Sequence, residues 1–309
     1  MQAKTHRSRL SGHETFPLRQ LWLLKYTQHL QLLKFHGQTS LPSVEDSIVE
    51  LGVGKNMVAS MRFWAESAGF VEPNSLELTP LGKLIFSNGQ DGRRGLDEDC
   101  EHEATQWLVH WKLSSTPDGF TGTWFFFNHI NTPTVDRDIL QKGLKAYCDE
   151  IGLKASDNST KRCIEVCLRS YLPKQSGKGH MEDFVEPYLA ELDLLTPLSK
   201  NAFVFRRSMH PSLPDGLFAF ALMEFWERLE GAGATLDFNR IAYDYGSPGR
   251  VFKLDPKSVD MRLNRLESLT DGQLVWTEQA GLRQLVRNKD ALLDPQNFKV
   301  RLLQLAYAE

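Results

Sequence analysis

The sequence predicts a mainly α-helical chain with short β-hairpins, arranged as tandem winged helix-turn-helix modules. Two helical segments meet at the corner Gly52-Val53-Gly54, a short hairpin pattern follows them, and the same order of features returns near the C-terminus. A helix, a tight corner, a second helix and a hairpin make up the layout of a winged helix. The corner needs a residue that accepts left-handed backbone, and the hairpin needs turn residues between apolar runs.

Taken in order, an apolar helix over residues 18–30 follows the opening motif Ser11-Gly-His13-Glu14-Thr-Phe-Pro-Leu-Arg19. Residues 43–51 make the next helix, opened by Pro42 and Ser43. Residues 55–69 make the second helix of the corner, with Met57, Met61, Trp64 and Ala65 at helical spacing. Phe70-Val71 and Leu76-Glu-Leu78 form a hairpin across Pro73-Asn74-Ser75, and Thr79-Pro80 starts a helix through Phe86. Residues 93–97 and the acidic run after them read as an exposed linker into a helix over 104–113, which carries Trp107 and Trp111. Trp124-Phe-Phe-Phe127 is a buried run compatible with helix or strand. Residues 177–180 and 231–233 are glycine-rich loops.

The repeat is visible by eye. Lys55, Arg62, Glu66-Ser67, Leu76-x-x-Thr79 and Gly82 correspond to Lys257, Arg262, Glu267-Ser268, Leu274-x-x-Thr277 and Gly281, with Gly82 and Gly281 both inside a following helix. A fainter copy runs from a helix over 159–169, through Tyr188 and Leu195-Thr196-Pro197, to a strand at 202–205. The resulting division is an N-terminal segment plus winged helix over residues 1–92, a helical linker domain over 93–150, a middle winged-helix-like domain over 151–230 and a C-terminal one over 231–309.

Composition bounds the function. The 309 residues carry a net charge of −3, with 41% hydrophobic and 24% charged side chains, ordinary for a water-soluble globular protein. No apolar run reaches the roughly 18–20 residues of a membrane span, so no membrane partner is expected. The polar, basic start lacks a secretory core, and four cysteines fit reduced thiols, so a cytoplasmic location is expected. The net charge excludes an indiscriminate polycation, but cations punctuate three predicted helices. Their polar faces carry Lys55, Asn56, Ser60 and Arg62 in the first, Lys161, Arg162 and Arg169 in the middle, and Lys257, Arg262, Asn264 and Arg265 in the last. On a helix entering the major groove such side chains bind phosphates and base edges of double-stranded DNA. On a solvated amphipathic helix they bind nothing.

Gly52-Val-Gly54-Lys55 lacks the spacing of a phosphate loop, and Asn56 follows the lysine, so no nucleotide is expected. His13 and Glu14 are residue types for a metal ligand and a base, with Arg19 as a phosphate clamp, in a Mg²⁺- or Mn²⁺-dependent strand cleavage. The bland reading has Glu14 capping the first helix, His13 hydrogen-bonding locally and the motif locking the N-terminal segment onto the first module. Glu101, His102 and Glu103, in the acidic run over 97–103, form a second candidate metal site, against a solvated helix start. Cys163 and Cys167 lack a second ligand pair, and His110 reads as an interior group. The residues by themselves do not define an enzyme.

The opening motif, Glu50-Leu-Gly-Val-Gly-Lys-Asn-Met-Val58, Arg62-Phe-Trp64 and Leu78-Thr-Pro-Leu-Gly82, in this order, resemble the bacterial family catalogued as domain of unknown function 4007, over roughly residues 10–290. That resemblance implies a component of DNA phosphorothioation and phage-defence systems. Its implied partners are a cysteine desulfurase, a sulfur-activating ATP pyrophosphatase and an ATPase. It also implies a nicking activity, which opens the backbone so that sulfur can replace a non-bridging oxygen. The alternative from the residues alone is a non-catalytic transcriptional regulator or protein adaptor.

Overall fold

The computed structural model describes residues 9–89, 92, 94–173, 187–229, 233–279, 281–288 and 293–309. The expected loop at 177–180 and most of that at 231–233 lie outside them. The architecture is mainly helical with two small antiparallel sheets.

The first unit comprises α1 (Trp22–Phe35), α2 (Val44–Leu51), α3 (Lys55–Ser67) and α4 (Pro80–Phe86). Its boundaries follow from capping. The Ser43 hydroxyl accepts from the Asp46 amide at the start of α2, and Thr79 accepts from the Gly82 amide at the start of α4, where Pro80 occupies the first helical position. Gly52 ends α2 at φ 59°, a left-handed conformation that lets the chain turn into α3 within three residues. The expected hairpin contracts to one bridge, Val71 with Leu78, around the left-handed Asn74.

The other two units share one topology. In the middle unit α6 (Thr121–Asn128) precedes β1 (Thr134–Asp136), α7 (Arg137–Glu150), α8 (Asp157–Tyr171), β2 (Leu195–Pro197) and β3 (Ala202–Phe205), in sheet order β1-β3-β2. In the last unit α9 (Asp215–Arg228) precedes β4 (Thr235–Asp237), α10 (Phe238–Tyr243), α11 (Pro248–Val251), α12 (Pro256–Leu269), β5 (Leu274–Gln279) and β6 (Leu282–Arg287), in order β4-β6-β5. A closing helix, Pro295–Ala306, packs on α9 and is α13 here. The short strands β1 and β4 carry one pattern, Thr-Val-Asp and Thr-Leu-Asp. The central apolar residue points inward, and the aspartate caps the next helix by accepting from Ile139 N or Asn239 N.

One expectation is corrected, and two expected boundaries separate elements that pack together. Gly281 lies in the β5–β6 turn at φ 80°, not in a helix, because Leu282–Arg287 pairs as a strand along the whole of β5. The boundary at 150/151 cuts through the middle unit, since β1 pairs with β3 in register Val135 to Phe203. The boundary at 230/231 leaves α9 with the middle unit, although it packs on α12 and α13.

One apolar core runs through all three units, centred on α5 (Glu103–Ser114) and the fully helical, buried Trp124–Phe127 segment of α6. Trp64, Trp107, Trp111 and Trp226 are fully buried, each aromatic of this size contributing about 1.5–3 kcal/mol. His110 is satisfied inside it: Nε2 donates to the Val251 carbonyl at 2.9 Å, so Nδ1 accepts from the Tyr171 hydroxyl at 2.8 Å. Cys163 and Cys167 are core residues as well. Among the described residues no helix is long and apolar enough to cross a membrane.

Candidate functional site

The opening motif forms a loop wedged between α3 and α8. Gly12 has φ 111°, and a Cβ there would lie 2.8 Å from the Phe63 ring, so the backbone approaches α3 as only glycine allows. His13 is 3% exposed, packed edge-on against Phe63 at 5.7 Å and Phe120 at 5.5 Å. Its Nδ1 accepts from the Thr15 amide at 3.2 Å. Burial, joined by the nearby positive charge of Arg162, lowers its pKa to about 4, so the ring is neutral at neutral pH. Trp64 donates to the Phe16 carbonyl at 3.2 Å, Arg9 reaches Glu66 at 3.3 Å, and Arg169 donates to the Thr15 carbonyl at 3.0 Å. The motif thus does lock the N-terminal segment onto the first unit, and onto α8 besides.

Glu14 and Thr15, at φ 46° and 66°, are successive left-handed non-glycine residues, both exposed. Such backbone costs about 1–3 kcal/mol per residue and persists where the surroundings enforce it. Glu14 does not cap α1, which begins at Trp22 without a side-chain cap. Arg19 packs its guanidinium over Phe16 and Trp22, 5.4 and 5.2 Å from the ring centres, bracing the start of that helix.

Beside the loop lies a cavity of about 450 Å³ whose lining includes Glu14, Tyr26, His29, Lys55, Arg62 and Glu66, but neither His13 nor Arg19. Lys55 is exposed at the first position of α3, beside the free amides of the helix start. Arg62 Nε donates to Glu66 at 2.8 Å, and its guanidinium also reaches Asn74. Burial pushes the Tyr26 phenol up to about 12 and lowers the His29 pKa, while His29 sits 3.1 Å from Glu50. Tyr26, His29 and Glu66 were not anticipated from sequence. Glu66 was the findable one, since Lys55, Ala59, Arg62 and Glu66 form one outward stripe at helical spacing.

Of the predicted DNA contacts, Asn56, Lys161, Arg162 and Arg169 are exposed on α3 and α8. Two predicted contacts are corrected. Ser60 is fully buried on the Trp64 face of α3, off the outward stripe. Arg262 is 3% exposed and donates to Asp215 at 2.6 Å and to the Met209 and His210 carbonyls at 3.0 Å each. A buried guanidinium needs such partners, and enclosed among them Arg262 is out of reach of DNA. Arg265 shares the same Asp215 carboxylate at 3.0 Å, while Lys257 and Asn264 are exposed. The structure therefore gathers Glu14, Lys55, Arg62, Arg162 and Arg169 around one loop and leaves the α12 residues out of it.

The acidic run is not a solvated linker. Asp97 is buried and accepts from the Glu101 and His102 amides at 3.0 and 3.1 Å, fastening the start of α5. His102 caps α5 by accepting from Ala104 N at 3.1 Å and packs on Tyr307, while Glu101 and Glu103 point to solvent. Among the described residues no three His, Cys, Asp or Glu side chains converge as a metal site.

Two units that each run helix, strand, further helices and hairpin, with a strained loop clasped between two amphipathic helices, define a multi-unit, mainly helical class of protein. The chain belongs to the family described as "Protein of unknown function (DUF4007)", whose profile matches residues 10–303. The resemblance carried by the opening motif and by Glu50–Val58 therefore holds. Two crystal structures of SspB share the fold, one of them magnesium ion-bound. Each is 23% identical with a TM-score of 0.77, covering 97% of this chain and 92% or 93% of the other. No curated protein matches the chain.

Proposed function

We propose that this chain is a DNA-binding component of a bacterial phosphorothioation and phage-defence system, working beside a cysteine desulfurase, an ATP pyrophosphatase and an ATPase. In this reading the units are winged helices, supported by the shared strand orders β1-β3-β2 and β4-β6-β5. Helices α3 and α8 are the elements that face duplex DNA. The observation that carries the reading is the gathering of Lys55, Arg62, Arg162 and Arg169 around the opening loop, because phosphate neutralisation supplies most of the affinity of such an interface. Four phosphates neutralised would give a log–log salt slope of about −4, and each cation removed would flatten it by about one. Anisotropy titrations of a duplex over a salt series, with Lys55→Ala and Arg162→Ala, test this. Slopes and affinities equal to those of the unaltered protein overturn it.

A second reading, metal-assisted nicking, has one observation in its favour: Glu14 is held exposed on strained backbone beside two cations. One of the SspB structures binds magnesium. In this chain Glu14 offers one carboxylate, whereas Glu66 is engaged by Arg9 and Arg62. Magnesium commonly binds through one or two carboxylates, waters and substrate phosphates, so Glu14 together with a DNA phosphate fits a hydrated ion. Such an ion would neutralise charge developing on the phosphodiester. His13, sealed between two phenyl rings, is assigned to positioning the loop rather than to chemistry. Supercoiled plasmid with Mg²⁺ or Mn²⁺ decides the matter. Chelator-sensitive open circles that disappear in Glu14→Gln, with duplex binding kept, support nicking. Retarded but intact plasmid leaves a binding adaptor or regulator.

A further inference from the structure

Away from the opening loop, the chain exposes two tyrosines that its core does not require. Tyr243 ends α10 and is 44% exposed, and Tyr245, two residues later, is 56% exposed. Tyr245 is held in place: its ring stacks on His129 at 4.8 Å with 19° between the planes, and the Arg250 guanidinium lies 4.6 Å from its centre. His129 stacks in turn on buried Phe125 at 6.0 Å and 13°, so an aromatic column runs from core to surface.

Positive charge accumulates beside this column. Arg250 is fixed by neutral acceptors, the Asn128 carbonyl at 2.7 Å from Nε, the Tyr243 carbonyl at 2.8 Å and Asn131 Oδ1 at 2.7 Å. Lys253 is buried against Phe127 and Phe205, donates to the Phe127 and Ile130 carbonyls, and is pushed well below its ordinary pKa by that burial, so the fixed charge here is that of the arginines. The charge of exposed Arg207 reaches both Arg250 and Lys253. Asp244, a carboxylate whose charge reaches Arg250, is itself paired with Arg240 at 2.9 Å. A rigid exposed ring, with a second exposed tyrosine two residues away and under-compensated arginines beside it, suits a ligand that has both a flat π face and an anion. Every nucleotide has both, and stacking on an immobilised ring costs little entropy.

We propose that Tyr243, Tyr245 and Arg250 form a platform for unpaired nucleotides of a DNA single strand, with bases against the tyrosines and phosphates near Arg250 and Arg207. It rests on the DNA-binding reading only for the source of that strand. The test uses the full chain, an oligothymidine strand bearing one 2-aminopurine, whose fluorescence is quenched on stacking, and a duplex of equal length. Binding quenches the probe. Tyr245→Ala weakens single-strand binding roughly tenfold and removes the quenching, Tyr245→Phe keeps both, and duplex affinity is unchanged. Tyr243→Ala, checked by thermal melting, serves if Tyr245→Ala fails to fold. Binding without quenching, unaltered binding by the alanine variants, or no single-strand binding overturns the platform. Tyrosine-dependent quenching without duplex binding would instead overturn the α3–α8 interface and leave the platform standing.

Discussion

A histidine ring enclosed by carbon is a joint that acid can open. Burial is the main cause that lowers His13, His110 and His210 from 6.5 to about 4, 3 and 4. Each folded value lies below the unfolded one, so the unfolded chain takes up protons first on acidification. Stability is complete above the unfolded pKa and falls as pH drops from about 6.5 towards 4. The thermal midpoint is expected to be level near neutrality and to decline across that window, and a level profile through it would refute neutral burial. At Gly12 any larger residue meets both Phe63 and a forbidden φ, so Gly12→Ala should cost about 1–3 kcal/mol in denaturant melts. At this scale the sequence was only partly legible. His13 and Glu14 stood out because nothing in helix packing asks for them, yet residue type could not tell that His13 faces inward and Glu14 outward. Ser60 and Arg262 were misplaced because a polar side chain on an amphipathic helix says nothing of its own partner, here the Trp64 face and Asp215.

Among elements, helix ends were legible wherever a cap marked them, as at Ser43, Gly52 and Thr79. The strands β1 and β4 were missed because three residues with one inward side chain leave no periodicity to read. Their shared Thr-apolar-Asp pattern was the available signal. The packing of α9 on α12 is fixed by Asp215, which holds buried Arg262 at 2.6 Å and Arg265 at 3.0 Å. Asp215→Ala strands a buried guanidinium and is expected to cost about 3–5 kcal/mol in chemical denaturation. A loss below 1 kcal/mol, roughly that of a surface pair, would show that the carboxylate is dispensable.

For the whole molecule, the continuous core predicts that the expected domain division does not yield folding units. A fragment starting at residue 151 lacks β1, so β3 loses a partner strand, and it lacks α5 and α6, so the central aromatics lose their cover. It is expected to show no near-ultraviolet circular dichroism and no cooperative melt, and a sharp melt would restore the division. The overall class, mainly helical with small sheets, was legible from the corner and the repeat. The way the units share one interior was not, because that depends on contacts between distant segments such as Lys253 with Phe127.

The clasped opening loop has a metric consequence. Trp64 grips it from α3 and Arg169 grips it from α8, so the separation of those two helices is set like the jaws of a locked caliper. On the proposed reading, in which α3 and α8 face a duplex, DNA presenting its phosphates at another spacing would have to flex to meet them, and flexibility of the DNA, rather than base identity, would be the quantity such a gauge selects.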